Sequence, residues 1–380
     1  MRHPVYLDYN ATTPIDPEVA AEMLPYLQTH FGNPSSSYSI GRSNKEAVER
    51  AREQVANLIN AKPEEIVFTS CATESNNLAI KGVAWANRNK GRHIIISAIE
   101  HPTVTEVCKY LGSQGFEITY LPVDQFGRIN PEDVENAIRK DTILISIMHA
   151  NNEVGTIQPI QEIGKIARQN NIFLHTDASQ SVGKIETDVD KLGVDLLTIA
   201  GHKLYAPKGI GVLYIRKGTP IENLIHGAGQ EKGIRPGTEN VIHTVGLGKA
   251  CQVALRDFKL NRQNMQVSRD RLLNGLISQL ENKVHVNVNL ENCLPNTLSV
   301  AFENVSAHAL ASVISSEVLI STGSACHSGE TTISSVLQAM NLDFRTAAAT
   351  VRISTGKHTT EEEIDFAIEV ITNAVQKLSL

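Results

Sequence analysis

A lysine stands between two apolar stretches in the middle of the chain. Residues 196–200 and 209–215 predict two buried strands, and Gly201, His202 and Lys203 fall in the turn between them. Lysine side chains are seldom fully buried unless they are paired. Taken alone, this segment has two interpretations of comparable weight. Either the ammonium reaches solvent at the edge of a sheet, or the amine forms an imine with a cofactor.

Polar residues also follow several other predicted strands, at the point where each strand ends. They are His101, Asn152, Asp177 and Gln180. In an open parallel sheet, ligands bind beyond the carboxyl ends of the strands, so we expect these side chains to share one edge. Thr73 lies in a hydroxyl-rich stretch that opens a helix. This stretch predicts either an ordinary helix cap or a phosphate cradle made of free backbone N–H groups.

Together, these residue types match the needs of one cofactor. Pyridoxal phosphate requires a lysine for its imine, a carboxylate that keeps the pyridine nitrogen protonated, an aromatic or imidazole face against the ring, and an anion cradle for the phosphate. Each residue alone has an ordinary structural explanation. The complete set at one edge of one sheet favours a pyridoxal-phosphate site.

The elements that must position this set alternate between strand and helix. Short apolar strands predicted between residues 66 and 215 are separated by helical stretches. This pattern is typical of an α/β protein with a mostly parallel sheet flanked by helices. Residues 241–280 predict a long, interrupted helical region, and the remaining chain mixes short strands with helices. We therefore predict a large cofactor-binding domain at 15–255 and a small α+β domain formed by 1–14 and 256–380.

Composition excludes several other classes of protein. The 380 residues are 41% hydrophobic and 20% charged, which is ordinary for a globular protein. A net charge of −6 and the absence of a Lys/Arg-rich run give no support for nucleic-acid binding. No apolar run suits a membrane span or a signal core. The five cysteines are widely spaced without a CxxC pair, so we expect no disulfide framework, no metal site and a reducing cytoplasm.

Several motifs, in order along the chain, carry a resemblance to a known family. They include Leu7-Asp-Tyr-Asn-Ala-Thr-Thr-Pro, Gly32-Asn-Pro-Ser-Ser, Ala72-Thr-Glu-Ser-Asn-Asn, Ala150-Asn-Asn-Glu-Val-Gly, His175-Thr-Asp-Ala-Ser-Gln, Gly201-His-Lys, Arg235-Pro-Gly-Thr-Glu-Asn and Gly323-Ser-Ala-Cys. The sequence resembles cysteine desulfurases of the NifS/IscS type, which are pyridoxal-phosphate enzymes of the class V aminotransferase group. The resemblance covers essentially the full length. It implies a fold-type I enzyme with a mostly parallel seven-stranded sheet and a smaller α+β domain.

The resemblance assigns the ring of the cofactor to residues at the strand ends. It implies that Lys203 is the Schiff-base lysine and that Asp177 pairs with the pyridinium nitrogen. Gln180 would contact the phenolic oxygen. His101 would stack on the ring and move protons, with Asn152 helping to orient the ring.

The resemblance also assigns the phosphate and the substrate. Thr73 and His202 would hold the phosphate, together with Thr238 of the second subunit of a homodimer. Asn33 and Arg352 would bind the carboxylate of the substrate L-cysteine, and an arginine offers the two-pronged fork that suits a carboxylate.

The nucleophile implied by the resemblance is Cys326. Residues 321–332 are rich in Gly, Ser and Thr, which predicts an exposed, mobile loop. Cys326 would attack the sulfur of the cysteine–pyridoxal adduct and become a persulfide, and alanine would be the other product. The sulfur would pass to an acceptor such as an iron–sulfur scaffold protein or a thio-modification enzyme. The other cysteines are predicted to be buried and inert: Cys71, Cys108, Cys251 and Cys293.

Three positions depart from the pattern of many relatives. Ala200 replaces a serine, which removes one hydroxyl from the phosphate site, and Cys71 replaces a glycine. His327 follows the nucleophile, as a histidine does in selenocysteine lyases. In this chain, His327 either depresses the pKa of Cys326 when it is protonated or is only a loop residue. A selenocysteine lyase is therefore the alternative enzyme. A catalytically silent binding protein is a further alternative, and an ordinary aminotransferase would leave Cys326 unexplained.

Overall fold

The computed structural model describes residues 4–327 and 330–379, with the backbone alone for 324–327 and 330–332. The strands in these ranges are β1 (Val5–Tyr6), β2 (Ile66–Thr69), β3 (His93–Ser97), β4 (Glu117–Leu121), β5 (Thr142–Ser146), β6 (Phe173–Asp177), β7 (Leu196–Ala200), β8 (Gly211–Ile215), β9 (Val284–Val286), β10 (Thr297–Phe302), β11 (Val318–Leu319), β12 (Ser321–Thr322), β13 (Ser324–His327), β14 (Glu330–Ile333) and β15 (Thr350–Ser354).

The helices of the same ranges flank these strands. They are α1 (Pro17–Gln28), α2 (Ser39–Leu58), α3 (Ala72–Asn87), α4 (Pro102–Ser113), α5 (Pro131–Ala137), α6 (Ile160–Gln169), α7 (Val189–Leu192), α8 (Val241–Arg256), α9 (Phe258–Leu280), α10 (Ala307–Ile314), α11 (Ser335–Ala339), α12 (Phe344–Ala348) and α13 (Glu361–Leu378). The predicted long helical region is interrupted at Asp257, between α8 and α9. No helix in the described ranges combines the length and apolarity needed to cross a membrane.

A seven-stranded sheet forms the centre of the larger part, in the order β2-β8-β7-β6-β5-β3-β4. Among the described strands of this sheet, β8 alone runs opposite to the other six. Every residue of β3, β5 and β7 is buried, because helices cover both faces of the sheet. The predicted α/β fold class and its mostly parallel sheet are confirmed. The carboxyl ends of β3, β5, β6 and β7 consequently share one edge.

A second, smaller sheet has the antiparallel order β12-β15-β10-β9. It belongs to a separate apolar cluster that includes Leu7, Leu272 and Ile371. The N-terminal strand β1 joins this part by pairing with β11. Residues after β14 differ, since Val336 and Met340 belong to the apolar cluster of the large sheet. The division into 15–255 and 1–14 with 256–380 stays a proposal, to which we add that α11 packs with the larger part.

The segment around Cys326 differs from the predicted loop. β13 and β14 form an antiparallel pair with Cys326 opposite Thr331, and residues 328 and 329 lie outside the described ranges. The Gly/Ser/Thr composition favoured a loop. The β-branched residues Thr331, Thr332 and Ile333 instead favour a strand, because such residues suit an extended backbone.

Candidate active site

A cavity of about 700 Å³ opens at the carboxyl edge of the large sheet. Residues from several strand ends and from the start of α3 line it. Seven of the predicted site residues are among them: Thr73, His101, Asn152, Asp177, Gln180, His202 and Lys203. As the positions at strand ends predicted, the fold brings together residues that are up to 130 positions apart in the chain.

Lys203 ends a short 3-10 turn that follows β7 directly. It lines this cavity and also a second, smaller one behind it. Burial lowers the pKa of Lys203 to about 8, and the attraction of Asp177 opposes this shift. At pH 7, about a tenth of the amine is therefore unprotonated, far more than for an ordinary lysine, and this is the form that attacks a carbonyl carbon.

Asp177 and His101 are joined by a chain of hydrogen bonds. Asn76 on α3 donates to the carboxylate of Asp177 at 2.7 Å and to the hydroxyl of Thr103 at 2.9 Å. The hydroxyl of Thr103 lies 3.0 Å from Nδ1 of His101. The other carboxylate oxygen of Asp177 accepts the backbone N–H of Ser179. This network fixes the carboxylate and the imidazole relative to each other.

The hydrogen bonds of His101 define its tautomer. Its Nδ1 accepts the backbone N–H of Thr103, where His101 caps α4. Burial lowers the pKa of His101, so the neutral imidazole is favoured and carries its proton on Nε2. A neutral ring can stack on a cofactor and accept or return a proton.

Another part of the cavity is suited to an anion. Cys71, Ala72 and Thr73 line it at the start of α3, where no side chain of the described residues caps the helix. The first N–H groups of an uncapped helix attract negative charge. Nearby, burial lowers the pKa of His202 to about 4, so that this ring acts as a neutral hydrogen-bonding group. Ser179 also lines the cavity, and its buried hydroxyl has no hydrogen-bond partner among the described residues.

Gln180 is held by residues behind the cavity. Its amide nitrogen donates to the carbonyl oxygen of Asn10, and its amide oxygen accepts from Lys184 at 3.0 Å. Burial lowers the pKa of Lys184 to about 7. Asn10 is itself buried and donates to the carbonyl oxygen of Asn152 and to the hydroxyl of Thr297. Asn10 thus links the N-terminal segment, the cavity and the small sheet.

The buried carboxyl group of Glu100 connects two of the strand ends that form the cavity. Glu100 accepts hydrogen bonds from the hydroxyl of Ser97 and from the backbone N–H of Met148. Burial raises the pKa of Glu100 to about 8, so the protonated form is favoured at neutral pH. Because Met148 lines the cavity, this contact ties the end of β3 to the end of β5.

Arg352 lies on β15 of the small sheet and is not part of the cavity lining, but it bonds to a residue that is. Its guanidinium donates to the carboxylate of Asp8 at 2.6 Å and to the carbonyl oxygen of Asn152 at 3.0 Å. Its buried Nε has no partner among the described residues. The side chain therefore reaches the cavity wall while retaining donors for a further anion.

Besides Arg352, two further predicted site residues, Asn33 and Thr238, are absent from the cavity lining. Asn33 is exposed and accepts the backbone N–H of Ser35, which matches the ordinary turn that such a loop predicts. Thr238 is exposed, as its implied role toward a second subunit requires. Cys326 lies on β13, and its side chain is outside the described atoms. The roles of these residues stay predictions.

The other cysteines divide into two groups. Cys108, Cys251 and Cys293 are buried, as predicted, and burial raises the pKa of Cys108 to about 12. For Cys71 the prediction of burial is wrong. It is half-buried and lines the cavity, because it precedes the helix whose first turn faces that space.

The observed donor set fits pyridoxal phosphate. A partly neutral lysine, a fixed carboxylate, a neutral imidazole and an uncapped helix start surround one cavity. The hydroxyl of Ser179, which has no partner in the part of the chain that the structure describes, supplies a further polar group for a bound ligand. Sequence reasoning had missed Asn10, Asn76 and Ser179, although all three lie within quoted motifs. The available signal was the short polar side chain in each motif, but only the fold shows which atoms it reaches.

Comparison with known protein families is consistent with the donor set of this cavity. The family described as "Aminotransferase class-V" matches residues 5–366. "Cysteine desulfurase IscS" of Dictyoglomus turgidum is 48% identical over 379 residues, covering 100% of this chain and 96% of that protein.

Two solved structures are similar in fold and sequence. One, described as "NIFS-LIKE PROTEIN", has a TM-score of 0.93 and 41% identity, and the match covers 98% of this chain and 100% of that one. Another, described as "SspA in complex with cysteine", has a TM-score of 0.82 and 40% identity, and the match covers 93% of this chain and 99% of that one.

Proposed function

Since the chain belongs to the class-V aminotransferase family, we propose that it is a pyridoxal-phosphate-dependent cysteine desulfurase. It would remove sulfur from L-cysteine and release L-alanine. The observation that carries this proposal is the convergence of Lys203, Asp177 and His101 on one cavity. This convergence occurs in a chain that is 48% identical, over its full length, to a protein named cysteine desulfurase.

The residues of the cavity would hold the cofactor in the roles that the resemblance implies. Lys203 would bind it covalently, Asp177 would hold its ring nitrogen, and Gln180 with Asn152 would orient the ring. Thr73, His202 and the start of α3 would bind its phosphate, joined by Thr238 from a second copy of the chain. When bound, pyridoxal phosphate supplies an electron sink that stabilises negative charge next to the amino-bearing carbon.

Arg352 would bind the carboxylate of the substrate. Its guanidinium bonds to Asn152, which lines the cavity, and its Nε has no partner among the described residues, so an incoming carboxylate could accept hydrogen bonds from it. Asn33 would assist from its exposed loop. His101 and Lys203 both have pKa values lowered by burial, so both can take up and return a proton near neutral pH.

Cys326 would supply the nucleophile. Its thiolate attacks the substrate sulfur, an S–S bond forms as the carbon–sulfur bond breaks, and the bonding electron pair stays on carbon, which gains a proton to become the methyl group of alanine. The reaction is balanced without an external oxidant, because the sulfur leaves as the outer atom of a persulfide on Cys326.

The proposal includes the partners implied by the sequence. The chain would act as a homodimer in the cytoplasm. The persulfide sulfur would pass to an acceptor protein such as an iron–sulfur scaffold.

Mass spectrometry of the protein after incubation with L-cysteine tests this function. We expect one added sulfur atom on the Cys326 peptide and release of one alanine in a single turnover. Unmodified Cys326 despite alanine release would contradict the role of the thiol. A parallel reaction with L-selenocysteine measures the alternative substrate, and a strong preference for it would identify a selenocysteine lyase instead.

A further inference from the structure

The motif Ala150-Asn-Asn-Glu-Val-Gly contains a residue to which the proposed reaction gives no role. Glu153 directly follows Asn152, which lines the cavity. The two residues belong to a short turn that is tightly held. The side chain of Asn151 accepts the backbone N–H groups of Glu153 and Val154 and donates to the carbonyl oxygen of Ile99. The turn is thus bound to the end of the large sheet.

Glu153 contacts the segment that carries Cys326. Its carboxylate accepts a hydrogen bond from the hydroxyl of Ser334, the residue that directly follows β14. Ser334 also caps α11, because its hydroxyl accepts the backbone N–H of Val336. The hydroxyl of Ser334 therefore donates to Glu153 and at the same time accepts from Val336 of α11.

Gly323 and Ser334 flank the hairpin formed by β13 and β14 at its open end, which we call the foot of the hairpin. The backbone N–H of Ser334 donates to the carbonyl oxygen of Gly323, and Gly323 in turn donates to the carbonyl oxygen of Thr350. Thr350 begins β15, the strand that also carries Arg352. The foot is thus joined to the small sheet through Gly323 and to the cavity turn through Ser334.

The charges around Glu153 favour this contact. The pKa of Glu153 is raised on balance, because the effect of burial outweighs the Ser334 hydrogen bond and the positive charge of Arg352, which both lower it. Ser334 and Arg352 thus both stabilise the ionised carboxylate. Arg352 also donates to the carbonyl oxygen of Asn152, the neighbour of Glu153.

We propose that Glu153 is a positioning residue that couples the Cys326 hairpin to the cavity through its hydrogen bond with Ser334. The proposal rests on the proposed function, in which the thiol of Cys326 must reach a substrate bound in the cavity. Because Asn152 and Glu153 are adjacent in one rigid turn, a displacement of the cavity rim moves the hairpin foot with it. Glu153 itself need not touch the substrate.

Substitutions on both sides of the contact test the coupling in the cofactor-loaded enzyme. Ser334→Ala and Glu153→Ala each remove the hydrogen bond, whereas Ser334→Thr retains the hydroxyl. Thr346→Ala is the matched control. Its hydroxyl also donates to a carboxylate at the start of a helix, that of Asp343 at 2.6 Å, but this pair lies within α12 and its cap.

Two measurements report on the hairpin. Hydrogen exchange of peptides spanning 318–336 should be about tenfold faster in Ser334→Ala and Glu153→Ala, because the hydrogen bond that joins the hairpin foot to the cavity turn is lost. Single-turnover formation of the Cys326 persulfide should be about tenfold slower, while the dissociation constant for L-cysteine stays within about twofold. Ser334→Thr should restore both rates, and Thr346→Ala should leave them at the wild-type values.

The coupling would be refuted by unchanged exchange and persulfide formation in both alanine variants, or by equal effects of Thr346→Ala. In a double-mutant cycle, Glu153→Ala with Ser334→Ala should be no worse than the stronger single variant, and full additivity would also refute it. Absence of persulfide in the wild-type enzyme would instead refute the proposed function. The hydrogen-exchange comparison still judges the coupling in that case.

Discussion

The cavity and the Cys326 hairpin are held in different ways. Residues at the ends of four strands and at the start of α3 build the cavity, and a hydrogen-bond network joins Asp177, Asn76 and His101 within it. The hairpin consists of two four-residue strands. Its described hydrogen bonds to neighbouring elements include those of Gly323, Ile333 and Ser334 at its foot, and β14 also lies close to α12.

This difference matches the two tasks that the proposed reaction assigns. A cofactor site must present its groups in a fixed arrangement, because preorganised donors need no rearrangement during the reaction. A sulfur carrier must serve both the substrate and an acceptor, which favours an element attached at one end. The predictions below separate these tasks, beginning with the largest expected effect.

Removal of the cavity's central amine should abolish the reaction. Lys203→Ala is expected to lower alanine release at least about 1,000-fold and to remove the visible absorption of the bound cofactor, because covalent attachment is lost. The exposed Lys208, five residues later, provides the control Lys208→Ala. Retained absorption and turnover in Lys203→Ala would show that Lys203 is needed neither for cofactor attachment nor for catalysis.

Removal of the Cys326 thiol should prevent sulfur transfer and leave cofactor binding intact. Cys326→Ala is expected to lose persulfide formation and to slow alanine release at least about 100-fold, while cofactor absorption and cysteine binding persist. Cys251→Ala, in the buried face of α8, controls for loss of a cysteine as such. Wild-type desulfuration by Cys326→Ala would remove the distinction between the two regions.

A change at the boundary between the regions should weaken substrate binding. Arg352→Lys keeps the charge but loses the fork, so KM for L-cysteine should rise about 10- to 100-fold with cofactor absorption unchanged. Asp8→Asn weakens the ion pair that holds Arg352, and a smaller increase of about threefold to tenfold is expected. An unchanged KM in Arg352→Lys would place the substrate carboxylate elsewhere.

The pH dependence of cofactor loading should report the lowered pKa of Lys203. The protonated amine cannot attack the aldehyde of pyridoxal phosphate. The loading rate of cofactor-free enzyme should therefore rise about tenfold per pH unit below 8 and level off above it. Asp177→Asn removes an attraction that favours the ammonium, so its profile should shift to lower pH. A midpoint near the ordinary lysine value would show that burial does not act as described.

Most of the large-domain fold could be predicted because its strands are short apolar runs separated by helices. β7 has the predicted bounds 196–200, whereas β8 begins at Gly211, two residues later than predicted. The Cys326 segment could not be predicted in this way, because its small polar residues suit a loop as well as an exposed hairpin. The placement of α11 against the larger core was likewise missed, since Val336 and Met340 carry no signal of the surface on which they pack.

By itself, the sequence determined which residue types follow each strand, and parallel topology then required that their side chains meet at one edge. Lys203, Asp177 and His101 could be chosen on that basis. Only the tertiary structure decided which partners these groups have. The tautomer of His101, the hydrogen bonds of Asp177 and the link from Glu153 to Ser334 depend on contacts between distant parts of the chain. Such contacts arise from packing, and local sequence patterns do not encode them.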